Sequence, residues 1–170
     1  MKRIPYCTTT LLIFLLQAAP TMAQTEFVID VRIDAPKETV WQALTNFPAY
    51  PSWNSMLYMT GNDQLAVGQN FHVTIHNGNK DSKFKAATLS KQAPDSFSAR
   101  QKIVGKWLFS ATHHFVLETP VGAPEQVVFV QKWELTGIVS KLFKKQIFKQ
   151  LGLFNTMNSE LKAHVEGQAQ

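Results

Sequence analysis

Histidine is the side chain best suited to proton transfer near neutral pH, and this chain of 170 residues carries five. His113 and His114 are neighbours in HHFVLETP, an alternating apolar stretch. On a strand they face opposite sides of a sheet, so only one of them can point inward. His72 and His76 are four residues apart in FHVTIHNG. At strand spacing that is about 13 Å, too far for one ion to bridge. His164 stands apart near the C-terminus, and no metal or other cofactor is expected. The chain has one cysteine, Cys7, and no Gly-x-Ser-x-Gly elbow or glycine-rich phosphate loop. The remaining candidate for chemistry is His113, as an acid or base or as a hydrogen-bond partner for a ligand. Gln101 and Gln131 fall on the same strand faces; they could satisfy His113 and each other, or meet a ligand carbonyl or hydroxyl.

The elements that must position these groups read clearly. EFVIDVRID alternates Phe27, Ile29, Val31 and Ile33 against polar residues, the two-residue period of a half-buried strand. PKETVWQALTNF follows as a short helix, with Pro36 suited to its first position and Val40, Trp41 and Leu44 as its apolar stripe. PAYPSWNSML then gives a second short helix whose corners are set by Pro48 and Pro51. From Met56 to Gly137 the pattern is of antiparallel strands. One hairpin turns at Asn77-Gly78, a second bends near Gly105, and EQVVFVQKWELTG is a further strand. After Gly137 the period becomes helical through Leu142, Ile147, Leu151, Phe154, Met157, Leu161 and Val165, which predicts one helix of about 27 residues, or about 40 Å.

Residues 1–23 open with Lys2 and Arg3, run through an apolar stretch from Leu11 to Leu16, and end on small residues at Thr21 and Ala23. This predicts a cleavable secretory signal cut after Ala23, and hence a periplasmic or secreted domain over 24–170. The remainder has no cysteine, so it relies on packing rather than disulfides. Without Lys2 and Arg3, 15 basic residues stand against 12 acidic ones, a net charge of about +3. That is too little to argue for nucleic acid. Lys141, Lys145 and Lys149 share a helix face, which suggests transient contact with an anionic membrane surface. Oligomeric state is not determined by these features.

One strand, two short helices, a run of antiparallel strands and a C-terminal helix form a distinctive order. The stretches VRIDAPKETVWQAL, YPSWN, VGQNFHVTI, HHFVLETP, WELTGIVSKLF and FNTMNSELKAHVE, in this order and spacing, resemble the START-like superfamily, also called SRPBCC or Bet v 1-like. The likeness is to its bacterial polyketide cyclase/dehydrase-like members. It implies an α+β helix-grip fold, β-α-α-β6-α, in which a curved antiparallel sheet of about seven strands wraps around the long C-terminal helix and leaves an apolar cavity. It also implies a packing role for Trp53, which falls in the Trp-Asn signature of relatives, with its N–H bonded and Asn54 tying the turn before Met56. Many relatives carry a glutamate on the last strand where this chain has Trp133, so an acid-dependent role is weakened and the cavity should be smaller or flatter.

Strand alternation nominates the lining as Phe71, Val73 and Ile75; Phe97, Ala99, Gln101 and Ile103; His113, Phe115 and Leu117; and Phe129, Gln131 and Trp133. Phe154, Met157 and Leu161 would add the helix face. The resulting expectation is an exported protein that binds an apolar small molecule, such as a lipid, quinone or aromatic metabolite. The alternative is a cyclase or dehydratase using His113 as acid or base.

Overall fold

The alternation in the first strand is realised in β1 (Thr25–Ile33), where Phe27, Ile29, Val31 and Ile33 turn inward and the residues between them are exposed. The computed structural model describes residues 24–78 and 80–168. The expected signal segment, residues 1–23, lies outside the described residues.

The helix α1 (Lys37–Thr45) buries Val40, Trp41 and Leu44. Pro36 caps it from outside rather than occupying the first turn. Its carbonyl accepts the first bonds, from Thr39 N at 3.0 Å and Val40 N at 3.3 Å, and its own missing N–H costs nothing there. A 3-10 turn (Phe47–Ala49) and the one-turn helix α2 (Tyr50–Trp53) follow, and the Tyr50 hydroxyl donates to the Leu44 carbonyl at 2.6 Å. Six strands complete a seven-stranded antiparallel sheet: β2 (Leu57–Thr60), β3 (Asn70–Asn77), β4 (Lys80–Gln92), β5 (Ser96–Val104), β6 (Phe109–Glu118) and β7 (Val127–Thr136). Their order is β1-β7-β6-β5-β4-β3-β2, so the first strand closes against the last. Register shifts at Thr88/Ser90 and at Lys102/Val104 add local bends to the sheet. The bend near Gly105 contains a short helix, α3 (Gly105–Leu108).

The single long helix predicted after Gly137 is instead three segments: α4 (Ile138–Leu142), α5 (Lys144–Leu151) and α6 (Phe154–Gln168). Phe143 departs from helical angles at φ −113°, ψ 21°. Around Gly152 the backbone bonds tighten: Leu153 N reaches Gln150 O at 3.1 Å, and Asn155 N reaches Gly152 O at 3.2 Å. The Asn155 amide also donates to the Gly152 carbonyl at 2.9 Å. Glycine's low helix propensity makes this the cheapest place to turn. α6 packs along β1, while α5 brings Phe148 against Phe27 and turns Ile147 and Leu151 to the cavity. α6 carries most of the buried helical surface, through Phe154, Met157, Leu161 and Val165, whereas α5 has no fully buried residue.

Trp53 is buried against α6, stacked on His164 with ring centres 5.7 Å apart and planes at 16°, and it also meets Tyr50. Its Nε1 has no hydrogen-bond partner among the described residues, contrary to expectation. The ring's position is set by the stacked His164 and the tilted Tyr50, and that orientation leaves no acceptor at the nitrogen. Asn54 does tie the turn: its Oδ1 accepts from Met56 N and Leu57 N, both at 2.9 Å.

Candidate functional site

Between the concave face of the sheet and the helices lies a cavity of about 140 Å³. Its walls follow the two-residue period of six strands. Leu57 and Met59 come from β2, Phe71, Val73 and Ile75 from β3, Phe84 and Ala86 from β4, and Ala99 and Gln101 from β5. Phe109, Ala111, His113 and Phe115 come from β6, and Trp133 and Leu135 from β7. Ile147 and Leu151 of α5 and Phe154 of α6 close it. Sixteen of these eighteen side chains are apolar, and the two polar ones are Gln101 and His113.

His113 is the best-defined group. Its Nε2 lies 2.9 Å from Gln131 Oε1, and Gln131 Nε2 donates to Asn158 Oδ1 at 2.6 Å. An amide oxygen only accepts, so in this arrangement Nε2 carries the imidazole proton and Nδ1 holds the lone pair. The ring is stacked on Trp133 at 4.0 Å and 20°, tilted against Phe115 at 3.8 Å, and met edge-on by Phe154 at 5.5 Å. Burial holds its pKa well below the ordinary value near 6.5; the Gln131 hydrogen bond opposes that shift and the neighbouring His114 adds to it. The imidazole is therefore neutral at physiological pH. It can accept a hydrogen bond from a ligand, but the burial that keeps it neutral also makes it a weak base.

The neighbours divide as alternation requires. His114 turns to the outer face, where its Nε2 lies 3.4 Å from Glu134 Oε2. Glu134 is held below the ordinary carboxylate range: partial burial opposes the shift, and Lys132 and His114 outweigh it. The Gln101 amide, by contrast, makes no side-chain hydrogen bond among the described residues. It is the polar group in the wall left open to a ligand.

Of the residues nominated from sequence, Phe71, Val73, Ile75, Ala99, Gln101, His113, Phe115, Trp133 and Phe154 line the cavity. Phe97, Phe129, Gln131 and Met157 do not; each is buried in the core beyond it. Leu117 and Leu161 are core residues too. The side chain of Ile103 lies outside the described part of the structure. The reason is position along the strand. Phe97 shares the inward face, yet it sits where α1 and the 3-10 turn fill the sheet, 6.1 Å from Trp41 and 6.4 Å from Phe47. Gln131 lies behind the histidine as its partner instead of facing the cavity. Sequence reasoning missed Leu57, Met59, Phe84, Ala86, Phe109, Ala111, Leu135, Ile147 and Leu151. Phe109, Ala111 and Leu135 continue the alternation of His113, Phe115 and Trp133, so extending the period would have found them.

Trp133 is buried in the cavity wall against Phe27, His113 and Phe154, and its indole takes volume a smaller side chain would leave open. Among the described residues no group of three or more His, Cys, Asp or Glu side chains is arranged to hold a metal ion.

No protein-family model matches the chain, and no curated protein matches it in sequence. Solved structures do match in three dimensions. Norcoclaurine synthase from Thalictrum flavum superposes with a TM-score of 0.64 at 12% identity, covering 97% of this chain and 98% of that one. A START superfamily protein from Mycobacterium smegmatis gives 0.61 at 16% identity, over 84% and 98%. An aromatase/cyclase from Streptomyces sp. R1128 gives 0.63 at 10% identity, over 87% and 97%. The chain has the helix-grip fold of the START-like superfamily. At these identities the likeness is one of fold. Like them, the chain has a seven-stranded antiparallel sheet, a C-terminal helix packed on it, and a cavity between sheet and helices.

Proposed function

We propose that this protein is an exported carrier or sensor of a small apolar molecule, held in the cavity between the sheet and α5–α6. The observation that carries the reading is the cavity: an apolar wall bearing two polar groups, Gln101 and His113. Pockets for small molecules are built this way, with apolar surface for affinity and a few polar groups for orientation.

Size narrows the ligand. A cavity of about 150 Å³ lined by apolar side chains accepts benzene, and this one is about 140 Å³. A single aromatic ring bearing a hydroxyl or carbonyl fits as it stands; the hydroxyl would donate to His113 Nδ1, or the carbonyl accept from the Gln101 amide. A lipid, quinone or polyketide is larger than this volume and would extend beyond it. Export is supported by the N-terminal charge and apolar pattern, and β1 begins at Thr25, so cleavage after Ala23 would leave the sheet whole.

Native mass spectrometry of protein purified from its own host, together with titration of a fluorescent apolar probe, tests this reading. Co-purified ligand or saturable probe binding is expected; failure of both would mean the cavity is closed to ligands. The synthase and cyclase names among the fold relatives keep a second reading in view, in which His113 acts as acid or base on a bound substrate. The variant His113→Ala separates the two. Under the binding reading it changes probe affinity by less than about tenfold, the worth of one hydrogen bond. Under the enzymatic reading it abolishes turnover of the ligand that mass spectrometry identifies.

A further inference from the structure

At the end of the sheet where β5 finishes, β6 starts and β7 finishes, the molecule exposes large apolar side chains that its core does not use. Trp107 of α3 is 63% exposed, and Ile138, Leu142 and Phe143 at α4 are 51%, 72% and 56% exposed. They belong to one surface. α3 packs on α4, and the Leu108 carbonyl oxygen lies only 2.4 Å from where a Cβ of Gly137 would be. Basic residues flank this apolar group. Lys141 is on α4, and Lys144, Lys145 and Lys149 are on α5, so the break at Phe143 takes Lys141 off the single helix face expected to carry it with Lys145 and Lys149; all four are exposed and none makes an ion pair among the described residues. No acidic residue occurs between Glu134 and Glu160.

We infer that this face, made by α3, α4 and the outer side of α5, docks on the surface of an anionic lipid bilayer. Exposed Trp, Leu and Phe beside lysines that make no ion pair is the pattern of an interfacial helix, whose apolar groups enter the headgroup boundary while its cations meet anionic lipid. A protein partner fits less well, because lysine is depleted at the buried centres of protein interfaces. None of the helices of the described residues is long and apolar enough to span a membrane, so the contact is with the surface. The placement has a consequence for the cavity. Ile147 and Leu151, on the inner side of α5, form part of its wall, so bilayer and cavity lie on opposite sides of one helix. Docking itself does not depend on what the cavity holds.

The test is co-sedimentation of the full chain with vesicles of phosphatidylglycerol and phosphatidylcholine, and with phosphatidylcholine alone. Binding is expected on the anionic vesicles, weaker at 0.5 M salt and on the neutral ones. The double variant Lys145→Gln/Lys149→Gln should weaken it by roughly fivefold per lysine. The variant Leu142→Ser/Phe143→Ser should weaken it at least tenfold, with circular dichroism unchanged because both side chains are already exposed. Absence of binding, or equal binding to neutral vesicles, would overturn the inference. So would undiminished binding by either variant, since attachment would then run through another part of the chain, such as the apolar run from Leu11 to Leu16.

Discussion

His113 shows how a single residue's role depends on its surroundings more than on its type. In sequence it is the natural acid–base candidate. In the fold it is fixed on three sides by rings and bonded through Nε2 to Gln131, which is itself anchored on Asn158 of α6. Its depressed pKa makes a prediction about stability. Below about pH 6.5 an unfolded chain protonates this imidazole while the folded chain does not, so the unfolded state binds more protons and stability falls as pH falls. Above that value both states are neutral there and the contribution is flat. Urea denaturation at about pH 5 and pH 7.5 should reveal a loss on acidification, to which His113 contributes at most about 1.4 kcal/mol per pH unit. His113→Phe should reduce the difference between the two pH values. An unchanged difference would mean that the histidine protonates freely in the fold.

At the scale of elements, the junction after β7 is the most constrained. Gly137 has φ +98°, and an added Cβ would meet the Leu108 carbonyl oxygen at 2.4 Å and the Phe109 nitrogen at 2.8 Å. Both obstacles are backbone, so neither can swing aside. Its carbonyl also accepts the buried Ser140 hydroxyl at 2.7 Å, which holds the first turn of α4. Gly137→Ala should therefore cost at least about 2 kcal/mol of folding stability in chemical denaturation. Gly152→Ala is the control: its backbone lies at φ −59°, and the nearest atom to an added Cβ is 3.4 Å away, so the change should be small or stabilising. The same comparison explains an error in reading the helix. Apolar spacing runs unbroken from Ile147 through Leu151 and Phe154 to Val165, so periodicity alone predicts continuity. The bend at Gly152 answers to the surfaces on which α5 and α6 lie, and those surfaces are assembled from strands far away in sequence.

For the whole molecule, the decisive quantity is the unfilled volume inside. If the cavity is the binding site, filling it should block binding without unfolding the domain. Ala99→Leu places a branched side chain into the cavity from β5, where Ala99 is already nearly buried. Probe affinity should fall at least tenfold, while stability changes by less than about 1.5 kcal/mol because space is available. Retained affinity would locate the probe elsewhere. The sequence by itself determined the order of the elements and the inward face of each strand, because alternation and helical periodicity are local consequences of where apolar side chains go. It also placed Phe71, Val73, Ile75, Gln101 and His113 on the inward face. Only the tertiary structure decided how deep along each strand the cavity reaches. α1 and the 3-10 turn fill one end against Phe97, and Gln131 is withdrawn behind His113. Only it brought Ile147 and Leu151 into the wall and gathered Trp107 with Leu142 and Phe143 on one surface. Such placements depend on sheet curvature and on contacts between residues distant in the chain, which a local pattern does not encode.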